Sequence, residues 1–508
     1  MSAKVYLVGA GPGDPGLITV KGKECIQKAD VLIYDYLAAP TLLRHANTKA
    51  EMIYVGKKGG DHTLSQDGIN NLIVEKAKTG AIVTRLKGGD PFIFGRGGEE
   101  AEVLIEAGIP FEVVPGVTSA IAAPAYAGIP LTHRKFTSTV AFITGHEDPN
   151  KDNTNIDWAS LARGIGTLVF LMGVKNLPDI TDQLIKNGKS PETPVALVRW
   201  GTTSRQKTVS GTLSDIVERV RAAKLKAPAI IVIGDVVRLR DRMKWFENRP
   251  LLGKKIVVTR AREQASDLVT NLSEMGADVL ECPTIKVVPS ENLSPLDCAI
   301  SGLKSYDWVV FTSVNGVKHF FERLFEKGSD ARALGHLHTA AIGPATADML
   351  LKFGLKTDII PENFRAESVV EAFSQENIAG KKILLPSAQE ARPVLPVELR
   401  KMGAIVDEII TYHTIQDRQN ADILLEDLQN ETIDMVTFTS SSTVKNFKAL
   451  IPDDMFISLL DGVTVACIGP ITADTAKELG FNVHIIADEY TIPGLCQAIR
   501  YYFSGAVD

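Results

Sequence analysis

The sequence predicts an α/β protein with several domains and largely parallel sheets. Apolar runs rich in β-branched residues, such as VYLVGA, VLIYD and TLVFLM, alternate with helix-length amphipathic stretches along the first half. The 508 residues exceed what a single hydrophobic core serves, so more than one domain is expected. The second half contains an internal repeat, which predicts one folding unit used twice.

Composition and charge exclude several classes of protein. A net charge of −6 and a pI of about 5.9 argue against nucleic acid or an anionic membrane as a partner. No apolar run is long enough to span a membrane, and the first residues lack a signal-peptide pattern. The five cysteines are scattered, without a CxxC pair or a Cys/His cluster. We therefore expect no metal site and no disulfide framework, and a cytoplasmic location.

A main domain boundary is expected where the alternation stops. The segment DRMKWFENRPLL, from Asp241 to Leu252, mixes charges with a proline. It is followed by a fresh strand pattern, GKKIVV. The predicted domains are 1–245 and 253–508.

The repeat in the second half defines two lobes. GKKIVVTRAREQ from Gly253 recurs as GKKILLPSAQEA from Gly380, and DWVVFTSVNGV from Asp307 recurs as DMVTFTSSSTV from Asp434. The stretches PTIKVVP and DEIITYHT are predicted to be paired extended crossings between the lobes. Lobe one would comprise 253–288 and 414–508, and lobe two 289–413.

The first ligand-binding motif is GAGPGDPG, Gly9 to Gly16, directly after a strand. A glycine-rich turn at this place lets backbone N–H groups face a ligand. One interpretation is a dinucleotide site, with Asp30 or Asp35 near the distance expected of a ribose-binding acid. The third glycine of that fingerprint is replaced by Asp14, and two prolines favour a fixed loop, so the ligand stays open at this point.

Two further motifs in the first half favour a ligand site. In RLKGGDPFIFGRGGEE, Gly88 and Gly89 permit close backbone approach, and Asp90 supplies a carboxylate for an amine or a hydroxyl. In VPGVTSAIAAPAYAGIPLTHR, Thr118 and Ser119 are hydroxyls at a helix start, where an ordinary N-cap explains one of them equally well.

Together these motifs, with YDYL and GKKGG, resemble uroporphyrinogen III C-methyltransferases of the tetrapyrrole methylase superfamily, from about Lys4 to Arg240. The resemblance implies a two-lobed methylase, with lobes of about 1–133 and 134–245, usually a homodimer, with S-adenosylmethionine in the cleft. The implied cofactor contacts are Pro12, Gly88, Gly89, Asp90, Ile93, Thr118, Ser119, Met172, Gly201 and Ala229.

The same resemblance implies proton handling by Asp35 of YDYL and Lys57 of GKK. Methylation of an electron-rich pyrrole carbon needs no enzyme nucleophile, but a proton must leave the macrocycle, and a positioned acid and base speed that step. The alternative is a solvated Asp35 and a surface Lys57, or a lysine that binds a substrate carboxylate. The implied substrate carries several carboxylates, so anion contacts are expected from Arg85, His133 and Arg134.

The second half is sparse in catalytic motifs and offers hydroxyls at predicted strand ends. Ligands bind at the carboxyl ends of strands in α/β lobes. An ordinary helix N-cap is the simpler explanation for each of these residues, but their twofold recurrence favours anion binding by some of them. The candidates for substrate binding are Thr259, Thr312, Ser313, Thr439, Ser440, Ser441 and Thr472.

The pattern from VVTRAREQ to ACIGPITADTAKELG resembles uroporphyrinogen III synthases, over about Gly253 to Val507. The resemblance implies closure of linear hydroxymethylbilane to uroporphyrinogen III, with inversion of the last ring and without a cofactor or metal. Tyr412 matches a family tyrosine that could assist departure of the terminal hydroxyl, the alternative being a packing aromatic. This chain has Ser387 where relatives often have arginine, and Arg392 is close by in sequence.

The two resemblances predict a bifunctional enzyme, because the product of the second half is the substrate of the first. Two methylations would give precorrin-2, on the route to sirohaem or cobalamin. Two alternatives remain: a second half that only senses a ligand, and a first half that methylates a later corrin intermediate.

Overall fold

The computed structural model describes residues 4–56, 64–146, 155–260, 262–391, 393–418 and 420–505. The chain divides into two compact units. The first comprises Met1–Lys255, Leu272–Asp278 and Phe503–Asp508, and the second comprises Ile256–Asn271 and Val279–Tyr502. Within the described ranges, no helix is both long and apolar enough to cross a membrane.

The first sheet is fully parallel, as expected from its β-branched strands. Its strands are β1 (Lys4–Gly9), β2 (Val31–Tyr34), β3 (Glu51–Tyr54), β4 (Ile82–Lys87) and β5 (Phe111–Val114), and its helices are α1 (Val20–Lys28), α2 (Pro40–Leu43), α3 (Gln66–Lys78), α4 (Gly97–Glu106) and α5 (Ser119–Tyr126). The strand order is β3-β2-β4-β1-β5. The carboxyl ends of β1, β2 and β4 therefore meet at one edge, which positions the loops that follow them.

The second sheet is mixed, so the prediction of largely parallel sheets is wrong for it. Its strands are β6 (Val140–Thr144), β7 (Thr167–Leu171), β8 (Pro194–Arg199), β9 (Lys207–Thr212) and β10 (Ala229–Ile233), in the order β6-β7-β10-β8-β9, with helices α6 (Trp158–Gly164), α7 (Leu177–Lys186), α8 (Ile216–Ala222) and α9 (Arg240–Met243). Only β6 and β7 pair in parallel. The connection from β8 to β9 is too short for a crossover helix, and a short connection produces an antiparallel pair.

The second half of the chain forms two more five-stranded sheets. Its strands are β11 (Lys255–Val258), β12 (Asp278–Glu281), β13 (Ile285–Pro289), β14 (Trp308–Phe311), β15 (His338–Ala341), β16 (Lys382–Ala388), β17 (Ile405–Gln416), β18 (Met435–Phe438), β19 (Thr464–Cys467) and β20 (Ile485–Ile486). Its helices are α10 (Arg262–Glu274), α11 (Ser294–Ser301), α12 (Val314–Glu326), α13 (Pro344–Lys352), α14 (Ala366–Phe373), α15 (Val394–Lys401), α16 (Ala421–Gln429), α17 (Ser441–Lys448), α18 (Phe456–Leu459), α19 (Pro470–Glu478) and α20 (Ile492–Ser504). Short 3₁₀ helices lie at Pro15–Leu17, Asp235–Leu239, Leu303–Ser305 and Ala331–Leu334.

The repeat copies exchange their first strands between these sheets. The sheet orders are β12-β11-β18-β19-β20 and β13-β17-β16-β14-β15. Strand β11 begins the first copy but pairs with β18 of the second, whereas β16 begins the second copy and pairs with β14 of the first. The predicted crossings do pair, since β13 and β17 run antiparallel with Pro289 opposite Tyr412.

Equivalent aromatic pairs build the cores of the two repeat copies. Phe311 and Phe320 pack edge to face with ring centroids 5.5 Å apart, and Phe438 and Phe447 do the same at 5.4 Å. All four side chains are fully buried. Such pairs add about 0.5–1.5 kcal/mol each beyond the burial of their area, so the repeat conserves packing as well as sequence pattern.

An ion-pair cluster connects β1 to β5, and the stability that it contributes should depend on pH. Lys21 and Lys4 both contact Glu112, Lys4 at 2.8 Å. Hydrogen bonds from Lys21 and Lys4 lower the pKa of Glu112 from 4.5 to about 2. A lowered pKa stabilises the fold above the unfolded value and loses that contribution as the pH falls through the folded one.

We therefore expect Glu112→Gln to lower the melting temperature by about 1–3 °C at pH 7, since a partly exposed pair contributes little. The difference in melting temperature between the variant and the unaltered protein should shrink as the pH falls from 4.5 to 2. Thermal unfolding followed by circular dichroism measures it, with Glu106→Gln on α4 as the exposed control. A difference that does not change with pH would contradict the assignment.

Candidate functional site

Three glycines bring the loops after β1, β4 and β5 into backbone contact, and we call Gly9, Gly89 and Gly116 the glycine cradle. A Cβ on Gly116 would lie 2.3 Å from the Gly89 carbonyl oxygen, and one on Gly9 would lie 2.5 Å from the Gly116 Cα. Gly11 and Gly89 exchange backbone hydrogen bonds of 3.2 and 2.7 Å. Both have positive φ values, 77° and 71°, which glycine adopts without strain.

The Asp90 carboxylate organises the loop that follows the cradle. Its Oδ1 accepts hydrogen bonds from the N–H groups of Phe92 at 2.8 Å and Ile93 at 3.1 Å, and its Oδ2 accepts one from Gly116 at 3.0 Å. The carboxylate is thus committed to three backbone donors. Its placement holds the partly exposed Ile93 at the surface of the loop.

The start of α5 faces the cradle. The Thr118 side chain caps the helix by accepting from Ala120 N–H at 3.3 Å, which matches the N-cap alternative. A Cβ on Gly89 would sit 3.8 Å from the Ser119 nitrogen, so glycine leaves this helix N-terminus approachable. Gly88 packs closely against Leu37, because a Cβ added at Gly88 would lie 2.4 Å from the Leu37 Cβ.

The second sheet contributes the other predicted contacts of the first half. Met172 follows β7 with φ 57° and is 54% exposed. Gly201 packs against Ala123 of α5, where an added Cβ would be 2.4 Å from the Ala123 Cβ. Ala229 is the buried first residue of β10. Pro12 is half-buried in the loop after β1.

Asp14 connects the loop after β1 to the second sheet. Its backbone N–H donates to the Thr202 hydroxyl at 3.0 Å, and its Oδ2 accepts from the Tyr126 hydroxyl at 2.7 Å. An aspartate in this role explains why the motif departs from the dinucleotide fingerprint. The loop continues into the short 3₁₀ helix Pro15–Leu17, which Asp14 caps by accepting from Gly16 N–H at 2.8 Å, and the α-helix α1 begins only at Val20.

Asp35 lies at the carboxyl end of β2, with its side chain 25% exposed. Its Oδ1 accepts from Leu37 N–H at 3.1 Å, and its Oδ2 lies 3.2 Å from Arg85 Nη2. The guanidinium of Arg85 is only 4% exposed and also donates to the Leu86 carbonyl at 3.0 Å. Arg85 therefore holds Asp35 in place, a role that the sequence did not indicate. Lys57 lies outside the described residues.

His133 and Arg134 form a turn after α5. His133 is half-buried, its Nδ1 accepts from Lys135 N–H at 3.2 Å, and Arg134 is exposed. Of the three basic residues expected to bind anions, Arg134 is thus the one that solvent reaches freely.

The sequence did not indicate that Lys87 and Glu100 form a buried ion pair next to Arg85, the partner of Asp35. Lys87 Nζ lies 2.6 Å from Glu100 Oε1, and both side chains are nearly inaccessible to solvent, at 6% and 0%. Burial lowers the pKa of Lys87, and the neighbouring Arg85 lowers it further. The signal was present in RLK, because residues two apart on a strand face the same side.

In the second unit, Tyr412 lies in a cavity of about 220 Å³ that Thr312, Ser313, Ser387 and Glu408 also line. Its hydroxyl is 2.9 Å from the Ser313 Oγ, which also caps α12 by accepting from Gly316 N–H. Burial raises the pKa of Tyr412, so the phenol keeps its proton at neutral pH. Among the described residues, the buried Ser387 hydroxyl has no hydrogen-bond partner. Arg392 is not among them.

The other hydroxyls that the sequence suggested for substrate binding lie in or next to the sheet that contains β11, β18 and β19. Ser440 caps α17, with Thr439 just before it, and Ser441 Oγ lies 2.7 Å from Thr475 Oγ1. Thr472 is buried within α19. Thr259 is fully buried and donates to the Thr437 carbonyl at 2.8 Å, so its hydroxyl serves the sheet.

Comparison with known proteins assigns both halves. Residues 4–217 match the family of Tetrapyrrole (Corrin/Porphyrin) Methylases, and residues 266–497 match Uroporphyrinogen-III synthase HemD. A porphyrin biosynthesis protein HemD of Ruminiclostridium josui is 39% identical over 97% of this chain and 96% of its own length. The chain belongs to both families. It is a fusion of a uroporphyrinogen-III C-methyltransferase domain and a uroporphyrinogen-III synthase domain.

Other relatives cover the methylase half. The uroporphyrinogen-III C-methyltransferase of Priestia megaterium is 56% identical over 46% of this chain and 98% of its own length. The crystal structure of the Thermus thermophilus uroporphyrin-III C-methyl transferase, complexed with S-adenyl homocysteine, is 38% identical. It covers 46% of this chain and 99% of that protein, with a TM-score of 0.41.

Proposed function

We propose that the synthase half converts hydroxymethylbilane to uroporphyrinogen III, and that the methylase half methylates this product twice to give precorrin-2. One observation carries the proposal: a single chain joins a uroporphyrinogen-III C-methyltransferase domain to a uroporphyrinogen-III synthase domain. The sequence-based alternatives, a ligand-sensing second half and a later corrin acceptor, are outcomes of the experiment below.

The methylase half fits S-adenosylmethionine as its methyl donor. The glycine cradle has no side chain at the three positions where its backbone segments touch, and the bare Gly89 leaves the start of α5 approachable. A helix N-terminus favours a carboxylate, and the cofactor carries one. When bound, the cofactor supplies an activated methyl group. Asp90 acts by fixing the loop, while Thr118, Ser119, Ile93 and Met172 line the proposed pocket, with Pro12, Gly88, Gly201 and Ala229 around it.

Asp35 is proposed to accept the proton that the macrocycle loses, with Lys57 as a second proton-handling group. Its carboxylate is partly exposed on one side and held by Arg85 on the other. A fixed carboxylate with an open face suits a general base. Arg134 and His133 are proposed to bind the substrate carboxylates, whereas the buried Arg85, which the sequence suggested as a third anion contact, holds Asp35 instead.

In the synthase half, the protonated Tyr412 hydroxyl is proposed to donate a hydrogen bond to the departing hydroxyl of hydroxymethylbilane. Ser313 orients that phenol, and Thr312 lies in the same cavity. The hydroxyls of Thr439, Ser440, Ser441 and Thr472 are proposed to bind substrate carboxylates at the other sheet, while Thr259 supports the strand. The main task is to fold the linear substrate for the inverted closure, which is a matter of positioning.

We expect Tyr412→Phe to lower synthase turnover by about tenfold, less than the roughly 10²–10⁴-fold of general acid–base catalysis, because the Ser313 hydroxyl remains in place. Formation of the type III isomer, followed by chromatography, measures the change. Tyr306→Phe is the matched control, since Tyr306 is equally buried and its hydroxyl binds Asp407 at 2.7 Å. Equal turnover in the two variants would show that Tyr412 is only a packing aromatic.

The coupled assay tests the whole proposal on the full chain. With hydroxymethylbilane alone we expect the type III isomer, and with S-adenosylmethionine added we expect a dimethylated product. Only the type I isomer would indicate a sensing module, and failure to methylate added uroporphyrinogen III would indicate a different acceptor. Isomer analysis and mass spectrometry separate these outcomes.

Three features of organisation belong to the same proposal. We propose domains of 1–245 and 253–508, with methylase lobes of 1–133 and 134–245 and synthase lobes of 253–288 plus 414–508 and 289–413. A homodimer through the methylase half is proposed from the family resemblance. The five free cysteines favour a reducing compartment, the cytoplasm.

A further inference from the structure

The Glu100 carboxylate is the centre of a buried charge cluster in the methylase half. Glu100 lies in the first turn of α4 and its side chain is completely inaccessible to solvent. Its Oε1 is 2.6 Å from Lys87 Nζ, 3.3 Å from Arg85 Nε and 3.3 Å from Gln66 Nε2. Its buried Oε2 has no hydrogen-bond partner among the described residues. A buried carboxylate with one unpaired oxygen is costly, so a function is a better explanation for it than stability.

The cluster is balanced in charge. Two cations, Arg85 and Lys87, project from the same face of β4 and meet two carboxylates, Glu100 and Asp35. Three of these side chains are almost fully buried, whereas Asp35 alone keeps an exposed face. Because water screens buried charges little, a change of charge at Glu100 or Lys87 must be felt at Asp35.

Arg85 is the direct link between the two carboxylates. One nitrogen of its guanidinium contacts Glu100 and another contacts Asp35 at 3.2 Å. A planar guanidinium has a rigid donor geometry, so a carboxylate that fixes one edge of it also fixes the edge that holds Asp35. Among the described residues, Lys87 on β4 and Tyr54 on β3 also interact electrostatically with Asp35.

We propose that Glu100 is a positioning residue of the methylase site, which orients Arg85 and balances Lys87 so that Asp35 is held as a base of the required strength. The inference rests on the proposed role of Asp35 in accepting the proton. Glu100 itself does not touch substrate or cofactor.

The acid limb of the pH profile of kcat is the low-pH range in which kcat rises with pH. Removing a negative charge from the cluster and removing a positive charge from it should shift this limb in opposite directions. Glu100→Gln leaves an extra positive charge, which favours ionised Asp35, so the limb should move down by about one pH unit. The weaker base should also lower kcat about tenfold, with the KM for S-adenosylmethionine unchanged. Lys87→Met leaves an extra negative charge and should move the limb up.

The double variant Lys87→Met/Glu100→Gln restores the charge balance, and its limb should return close to that of the unaltered protein. Glu102→Gln is the matched control, because Glu102 is exposed on the same helix. Melting temperatures measured alongside show whether each variant folds. A purely structural role predicts lost stability without opposite shifts of the limb.

The outcomes separate this inference from the proposed function. Unaltered protein that methylates uroporphyrinogen III, combined with limbs that do not move in Glu100→Gln and Lys87→Met, would overturn the role of Glu100 alone. An unaltered pH profile in Asp35→Asn would overturn the role of Asp35, and the inference with it. Failure of the unaltered protein to methylate uroporphyrinogen III would overturn both.

Discussion

Replacing Asp35 by asparagine is expected to lower kcat for methyl transfer by about 10²–10⁴-fold, the range of a lost general base. Asparagine has the same shape, and its side-chain oxygen can still accept from Leu37 N–H, as Asp35 does at 3.1 Å. It cannot take up a proton at neutral pH. Binding of S-adenosylmethionine, measured by calorimetry, should be unchanged because Asp35 is not among the proposed cofactor contacts.

The matched control for this variant is Asp179→Asn. Asp179 is exposed in the first turn of α7, and its replacement should leave methylation as it is. Steady-state rates with uroporphyrinogen III and S-adenosylmethionine measure both variants. Equal rates in the two would mean that Asp35 is a solvated carboxylate without a catalytic role.

Gly116→Ala is expected to raise the Kd for S-adenosylmethionine at least tenfold, about 1.4 kcal/mol of binding free energy. The added Cβ would lie 2.3 Å from the Gly89 carbonyl oxygen and 2.7 Å from the Gly9 Cα. These are backbone atoms of the loop after β4 and of the end of β1, so the glycine cradle must open. Overpacking of this kind lowers the free energy of unfolding by about 1–3 kcal/mol.

Gly164→Ala provides the control for an added methyl group in the same unit. Gly164 is the last residue of α6, and its Cβ would meet nothing within 4 Å. We expect unchanged cofactor affinity there and a melting temperature equal to or above that of the unaltered protein. Calorimetry and thermal unfolding measure both variants. An unaltered Kd in Gly116→Ala would show that the cradle does not contribute to the cofactor site.

Much of the fold could be predicted because its signals are local. The strand that leads into GAGPGDPG and the Thr118 cap follow from short patterns of apolar and turn residues. The pairing of β13 with β17 was predicted from the internal repeat instead. The antiparallel strands of the second sheet were missed, because an apolar run reports burial and not the direction of its neighbour. The number of residues between β8 and β9 was the signal that could have found them.

In the candidate site too, local features could be predicted and long-range contacts could not. The glycines, the hydroxyls and Tyr412 were identified as candidates from sequence motifs, because the chemistry resides in the residue type itself. The role of Asp14 was not, because its partners Thr202 and Tyr126 are 188 and 112 residues away. Ser313 and Tyr412 were both candidates, yet only folding brings their hydroxyls to 2.9 Å across 99 residues.

The α/β class, the repeat of the second half and the two families are evident in the sequence, as are the glycine loops proposed to bind the cofactor. Which strands of the repeat share a sheet, which glycines touch and what surrounds each charge depend on how the chain folds. Hydrophobic period and turn chemistry act over a few residues, whereas the partner of a buried charge is chosen by the whole fold. Arg85 looked like a surface contact for an anion, and folding placed it beneath Asp35, 50 residues away, between two carboxylates.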